Sequence, residues 1–197
     1  MRNRETEVKI RIAHLPATRK RLRELGFRPV HRRSLEDNSL LDTPERILRA
    51  SRSILRLRRY GTGWWLTYKG TPAPDQFYKS RLEIETEIKN PDAIRSILKQ
   101  LGFRAVFRYQ KFRTQYSQIS KNSPELSLDE TPIGNFIELE GSRKSIDRVA
   151  RLLGYSRADY ITASYGALYL EECRKSQITP SDMVFPKRST RRKKAQN

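Results

Sequence analysis

Glu5, Glu7, Lys9 and Arg11 occupy every second position of the run Glu5-Thr6-Glu7-Val8-Lys9-Ile10-Arg11-Ile12. In a β-strand successive side chains point to opposite faces, so these four share one face and Val8, Ile10 and Ile12 share the other. The same alternation returns at Arg56/Arg58 between Leu55 and Leu57, at Arg81/Glu83/Glu85/Glu87 against Leu82/Ile84/Ile88, at Lys111/Arg113, and at Glu138/Glu140 against Ile137/Leu139. Carboxylates and cations laid along several strands form a surface suited to holding a metal ion and a polyanion together. A sheet with one wet face would also alternate. Such a face would use Thr, Ser and Gln freely, whereas here Glu, Arg and Lys take the positions repeatedly, with acids and bases kept in separate runs.

The elements carrying these residues follow from turn and helix signals. Strand-rich stretches at 34–41, 54–60, 64–69, 109–118 and 125–129 are separated by Gly61-Thr62-Gly63, Gly70-Thr71-Pro72-Ala73-Pro74 and Thr131-Pro132-Ile133-Gly134. Leu25-Gly26-Phe27-Arg28 returns as Leu101-Gly102-Phe103-Arg104, each copy preceded by a charged strand and a proline-opened helix, and a fainter third copy ends at Leu153-Gly154-Tyr155. The helices are expected over 16–25, with Ala17, Leu22 and Leu25 inward, and over 91–101, with Ile94, Ile97, Leu98 and Leu101 inward. A loop with a short helical piece is expected over 42–53, and a last helix over 159–172. Antiparallel hairpins with helices on their oily sides imply an α+β protein whose sheet curls or closes, ionic faces inward.

Length and composition fit that picture. The 197 residues allow one domain with a substantial core. Apolar content of 36% beside charged content of 32% is what a polar interior surface would produce, and a net charge of +19 attracts polyanions. One cysteine, Cys173, excludes an internal disulfide framework, and with His14 and His31 as the two histidines no zinc cluster is available, so a metal would be held by oxygen. No apolar leader or membrane-length apolar run is present, and a soluble cytoplasmic protein is expected. The domain is placed at 1–172. The segment 173–197, with its run Lys187-Arg188 and Arg191-Arg192-Lys193-Lys194, is expected to be a disordered basic tail. A nucleic-acid contact through it is left open but not expected.

Taken in order, Glu5-Thr6-Glu7-Val8-Lys9, Leu41-Asp42-Thr43-Pro44, Leu55-Arg56-Leu57-Arg58, Leu66-Thr67-Tyr68-Lys69-Gly70, Arg81-Leu82-Glu83-Ile84-Glu85, Lys111-Phe112-Arg113, Leu128-Asp129 and Gly134 to Glu140 resemble the CYTH proteins, or triphosphate tunnel metalloenzymes. That family includes class IV adenylyl cyclases, thiamine triphosphatase and inorganic triphosphatases. The first segment looks like its E-x-E-x-K signature, and several others are most similar to the class IV cyclase-like branch. The resemblance covers roughly residues 4 to 170. It departs from some bacterial cyclases of that class in one respect, since neither His14 nor His31 is followed by Phe.

The resemblance implies an eight-stranded closed antiparallel β-barrel, a triphosphate tunnel, with helices packed outside. It implies Mg²⁺ or Mn²⁺ held by Glu5, Glu7, Glu138 and Glu140 with Asp129 beside them, while Glu83 and Glu85 hold a second ion or serve as structural partners of arginines. Arg56, Arg58, Lys69, Arg81, Lys111 and Arg113 would clamp the phosphates, forked guanidinium contacts and lysine point charges meeting them from several sides. Lys9, with Glu5 and Glu7, is assigned to catalysis as a general base, following the hydrolytic members. Glu87 and Arg11 read as solvated strand ends, Trp64 and Trp65 as packing residues or a stacking platform, and Tyr165 as a packing residue or a hydrogen-bonding group near the tunnel mouth. The expected activity is metal-dependent hydrolysis of an inorganic, nucleoside or thiamine triphosphate. Two alternatives stand beside it: cyclisation of ATP to cyclic AMP and pyrophosphate, and a non-catalytic polyphosphate- or RNA-binding module. A homodimer is left open, and no membrane partner is expected.

Overall fold

The computed structural model describes residues 4–118 and 122–186. The distal basic run at 187–197 therefore lies outside the described residues. The strands are β1 (Arg4–Ile12), β2 (Arg28–Asp42), β3 (Ile54–Tyr60), β4 (Gly63–Lys69), β5 (Lys79–Glu87), β6 (Arg104–Ser117), β7 (Glu125–Thr131), β8 (Gly134–Glu140) and the short β9 (Tyr160–Ile161). The helices are α1 (Leu15–Glu24), α2 (Ile47–Ala50), α3 (Pro91–Gln100), α4 (Arg143–Leu152) and α5 (Tyr165–Lys175).

Eight strands pair in the order β5-β4-β3-β2-β6-β7-β8-β1, and β1 returns to β5 through Arg4↔Leu82 to Glu7↔Lys79, closing an antiparallel barrel. β9 adds to β1 through Lys9↔Ile161 and Ile10↔Tyr160. Closure removes sheet edges and forces alternate residues of every strand into one shared interior. The fold is α+β, as expected.

Outside the β1–β8–β7 wall lies the main core, built from Val8, Ile10 and Ile12, from Leu126 and Leu128, and from Ile137 and Leu139. Leu22 of α1 and Ile146, Val149 and Ala150 of α4 cover it. A smaller core joins Tyr109, Phe136, Tyr165 and Met183.

The three Leu-Gly-aromatic stops have one geometry. Gly26, Gly102 and Gly154 hold φ values of 82°, 88° and 88°, and the aromatic N–H that follows donates back to the last helical turn: Phe27 to Leu22 O, Phe103 to Leu98 O and Tyr155 to Ala150 O, each at 2.9 Å. This is the Schellman closure, which needs a residue tolerant of left-handed φ.

Six sequence expectations change. Ala17, expected inward on α1, is exposed, and the last helix begins at Tyr165 rather than 159 because Tyr160 and Ile161 pair with β1 as β9. β2 runs from Arg28 rather than 34, because its pairing with β6 continues across register shifts near Pro29, His31 and Leu40 that interrupt simple alternation. β6 begins at Arg104 for the same reason. The inward face expected for α3 is not buried: no α3 residue is buried, Ile97 is 54% exposed and the following Leu101 is 65% exposed. Arg95 lies over the Trp64 ring at 4.5 Å, which ties this helix to the barrel while its apolar stripe stays open. Finally, the packed chain passes 172: Cys173 is buried on α5, and Met183 is buried against β6, its N–H donating to Arg108 O and its carbonyl accepting from Gln110 N.

Candidate active site

Strand parity sends Glu5, Glu7 and Lys9 of β1 into the barrel while Val8 and Ile10 enter the outer core. The same rule turns inward Arg56 and Arg58 of β3, Lys69 of β4, Lys79, Arg81, Glu83 and Glu85 of β5, Lys111 and Arg113 of β6, and Glu138 and Glu140 of β8. They line a cavity of about 460 Å³. The strands thus gather the expected set into one chamber, with Asp129 of β7 bonded to two of its cations; Arg11 and Glu87 stand exposed, as read.

Two networks divide the chamber. In the first, fully buried Asp129 accepts both Arg113 Nε and Nη2 at 2.7 Å, Lys111 Nζ at 2.9 Å and the Tyr165 hydroxyl at 2.7 Å. Glu138 contacts Lys9 Nζ at 3.0 Å and also pairs with Arg113. Glu36 of β2, fully buried, stands 3.6–3.9 Å from Lys111, Arg113 and Arg58 and accepts no hydrogen bond from the described residues. Burial alone would push Glu36 up, but Lys111, Arg113, Arg56 and Arg58 together draw it down to about 2.

In the second network Arg58 meets Glu85 at 2.6 Å, the Thr67 hydroxyl donates to Glu85 at 2.6 Å, and Arg56 reaches Thr67, Glu85 and Tyr109 at 3.3–3.5 Å. Lys69 pairs with Glu83 and lies 3.6 Å from Glu5; Lys79 pairs with Glu7 at 3.1 Å. Arg81 is buried, with no carboxylate within ion-pair distance among the described residues. Glu85 is thus an arginine partner, the structural alternative read for it.

Carboxylates crowd this second network. Glu7 faces Glu140 across the β1–β8 pair. Burial, a hydrogen bond with Glu83 and the charge of Glu140 push Glu5 up to about 9, and burial with the charge of Glu7 pushes Glu140 up to about 7. A hard divalent cation would relieve that repulsion, and the donors are all carboxylate oxygens, so the residues fit Mg²⁺ or Mn²⁺. The carboxylates available to it in the chamber are Glu5, Glu7, Glu83, Glu138 and Glu140. Most of these acids also face cations, Glu138 and Asp129 meeting Lys9, Lys111 and Arg113 as Glu7 meets Lys79 and Glu83 meets Lys69, and no group of three or more donors stands converged around a single point among the described residues.

Burial would lower Lys9, but Glu138 and Glu7 hold it above the ordinary lysine range. Its Nζ lies 4.8 Å from the Tyr165 ring centre. Two residues were missed. Glu36 is a lone acid on its face of an irregular strand, with no repeat to announce it. Lys79 was detectable, since it continues the Arg81/Glu83/Glu85 parity backwards by one step; burial pushes it down to about 8 against the pull of Glu7.

A closed barrel whose interior interleaves carboxylates with arginines and lysines defines a charged-tunnel protein. The family comparison agrees: residues 3–165 match the CYTH domain, and the chain belongs to that family. A Methanocaldococcus jannaschii protein named "Putative adenylate cyclase" is 33% identical over 150 residues, covering 76% of this chain and 83% of that protein. A Pyrococcus horikoshii protein of solved structure is 28% identical with a TM-score of 0.71, covering 85% of this chain and 99% of that one. A Hippeastrum protein, named in the same way as an adenylyl cyclase and described as having a dominant triphosphatase activity, shares the fold at 20% identity and a TM-score of 0.61, covering 89% of this chain and 97% of that one.

Proposed function

We propose that this chain is a divalent-metal-dependent enzyme that hydrolyses triphosphates within its tunnel. The carrying observation is the wall itself: buried Arg81 without a carboxylate partner among the described residues, next to carboxylates crowded enough to hold protons near neutrality. A chamber meant only to bind a polyanion would gain by shedding those acids. Glu5, Glu7, Glu138 and Glu140, with Glu83 beside them, would hold the cation, which when bound supplies charge neutralisation and Lewis acidity.

The protein's own groups do the rest. Asp129 fixes the Arg113 fork and the Lys111 ammonium, so both present a set geometry to phosphate oxygens. Glu85 orients Arg56 and Arg58 in the same way from the other wall. Lys9 stays charged and adds to the phosphate field beside Glu138. Phosphoryl transfer asks mainly for such positioning and charge stabilisation.

Purified protein with Mg²⁺ or Mn²⁺ should release phosphate from at least one of tripolyphosphate, thiamine triphosphate and the nucleoside triphosphates. Release from none would refute the proposal. The name of the Methanocaldococcus relative favours a second reading, cyclisation of ATP. Product identity separates the two, because cyclase action yields cyclic AMP with pyrophosphate and hydrolysis yields diphosphate with phosphate.

A further inference from the structure

The two helices that cover the main core differ in charge from the other long helices. α1 carries Arg19, Lys20, Arg21 and Arg23 against one acid, Glu24, and α4 carries Arg143, Lys144, Arg148 and Arg151 against Asp147. α3 and α5 together hold four cations and three acids. Packing makes one surface of the basic pair. Leu22 of α1 and Ile146 of α4 enter the same core, and the Arg21 guanidinium spans the two helices, donating to Leu152 O from Nε at 3.2 Å and from Nη2 at 3.0 Å. Arg28 extends the face, its Nη1 donating to Arg23 O at 3.1 Å. Asp147 offers little counter-charge, because it already accepts the hydroxyls of Tyr78 at 2.5 Å and Tyr160 at 3.0 Å and Arg157 Nε at 3.1 Å. Arg23, Lys144, Arg148 and Arg151 are exposed, with no carboxylate within ion-pair distance among the described residues. Like charges fixed on rigid helices repel one another, and an external polyanion relieves that repulsion.

We propose that the α1–α4 face is a docking surface for double-helical DNA, held through its phosphates and without regard to sequence. Duplex DNA carries about one negative charge per 1.7 Å of its axis, so cations spread over two rigid helices meet several phosphates at once. A chamber of about 460 Å³ admits no double helix, and this surface therefore acts apart from the tunnel. The side chains choose among polyanions. Single strands are bound by stacking their bases on aromatic rings, and neither helix carries an aromatic residue. Duplex RNA is recognised in part through its 2′-hydroxyls, but the neutral hydroxyls of these helices are spent on backbone, Thr18 donating to His14 O and Ser145 to Ser142 O. An anionic membrane is gripped by an apolar stripe beside the cations, and Leu152 is the one large apolar side chain exposed on either helix.

Binding of a fluorescein-labelled DNA duplex of mixed sequence to the full chain is read by anisotropy over a range of NaCl concentrations. The triple variant Arg23→Glu/Lys144→Glu/Arg148→Glu is compared with Lys89→Glu/Lys99→Glu/Arg174→Glu, which changes the net charge equally at exposed positions elsewhere and keeps the terminal basic run. None of these six residues lines the tunnel, so the outcome is independent of triphosphate turnover. The first variant is expected to lose roughly tenfold or more in affinity, with a salt slope shallower by about 3, while the second stays within about twofold of wild type. Equal losses in the two variants assign binding to net charge alone and overturn the inference. So does a wild type that binds no duplex DNA, or that binds duplex RNA, single-stranded DNA or phosphatidylserine vesicles more tightly. Thermal melts verify folding. Should the first variant fail to fold, Lys144→Gln/Arg148→Gln replaces it, with a loss of roughly threefold expected and an unchanged affinity overturning the inference.

Discussion

Glu36 carries the clearest consequence at the scale of single residues. Its folded pKa of about 2 lies below the ordinary 4.5, so the stability it contributes is present above pH 4.5 and lost as pH falls toward 2. Each tenfold change in proton affinity is worth about 1.4 kcal/mol, so Glu36→Gln should abolish roughly 3 kcal/mol of acid-dependent destabilisation between about pH 5 and 2, read from urea melts across that range. Asp129→Asn should weaken the Arg113 fork and leave buried cations undercompensated, lowering stability by about 3 kcal/mol in the same assay. Glu7→Gln should behave differently: a loss of metal-dependent turnover of roughly a hundredfold or more with little change in melting temperature, because its side chain faces the chamber and not the core. Parity made most of these residues readable in sequence, since i and i+2 must share a face. What parity could not give is which acid meets which cation. Glu138 and Asp129 look like metal ligands along their strands, and only the closed barrel brings Lys9, Lys111 and Arg113 onto them.

Elements were legible where punctuation was strong. The three Leu-Gly-aromatic stops announced α1, α3 and α4, and their shared hydrogen bonds explain why. Gly102→Ala meets no neighbouring atom, so its cost is conformational alone, about 1 kcal/mol for an alanine held at φ 88°. Packing was less legible, because amphipathic spacing says that a helix has an apolar face without saying what lies beneath it. α1 and α3 look alike in sequence, yet Leu22 is buried and Ile97 is not. Leu22→Ala should cost about 2–5 kcal/mol, whereas Ile97→Ala should stay within about 0.5 kcal/mol, both from denaturant midpoints. The long strands β2 and β6 hid their ends behind register shifts, which break the alternation that a sequence reading follows.

At the scale of the molecule, the ring is closed by β1, the strand that pairs with β5 on one side and β8 on the other. The seam with β5 spans the four residues Arg4 to Glu7, and two of them, Glu5 and Glu7, are also chamber acids. Contacts between residues so far apart in the chain form late, because the intervening loop must be ordered first. The chamber and the closing seam therefore depend on the same four residues of one strand. Were that strand to peel away, Val8, Ile10 and Ile12 would leave the main core with it, so an opened gutter is a step of unfolding and not a dormant native form.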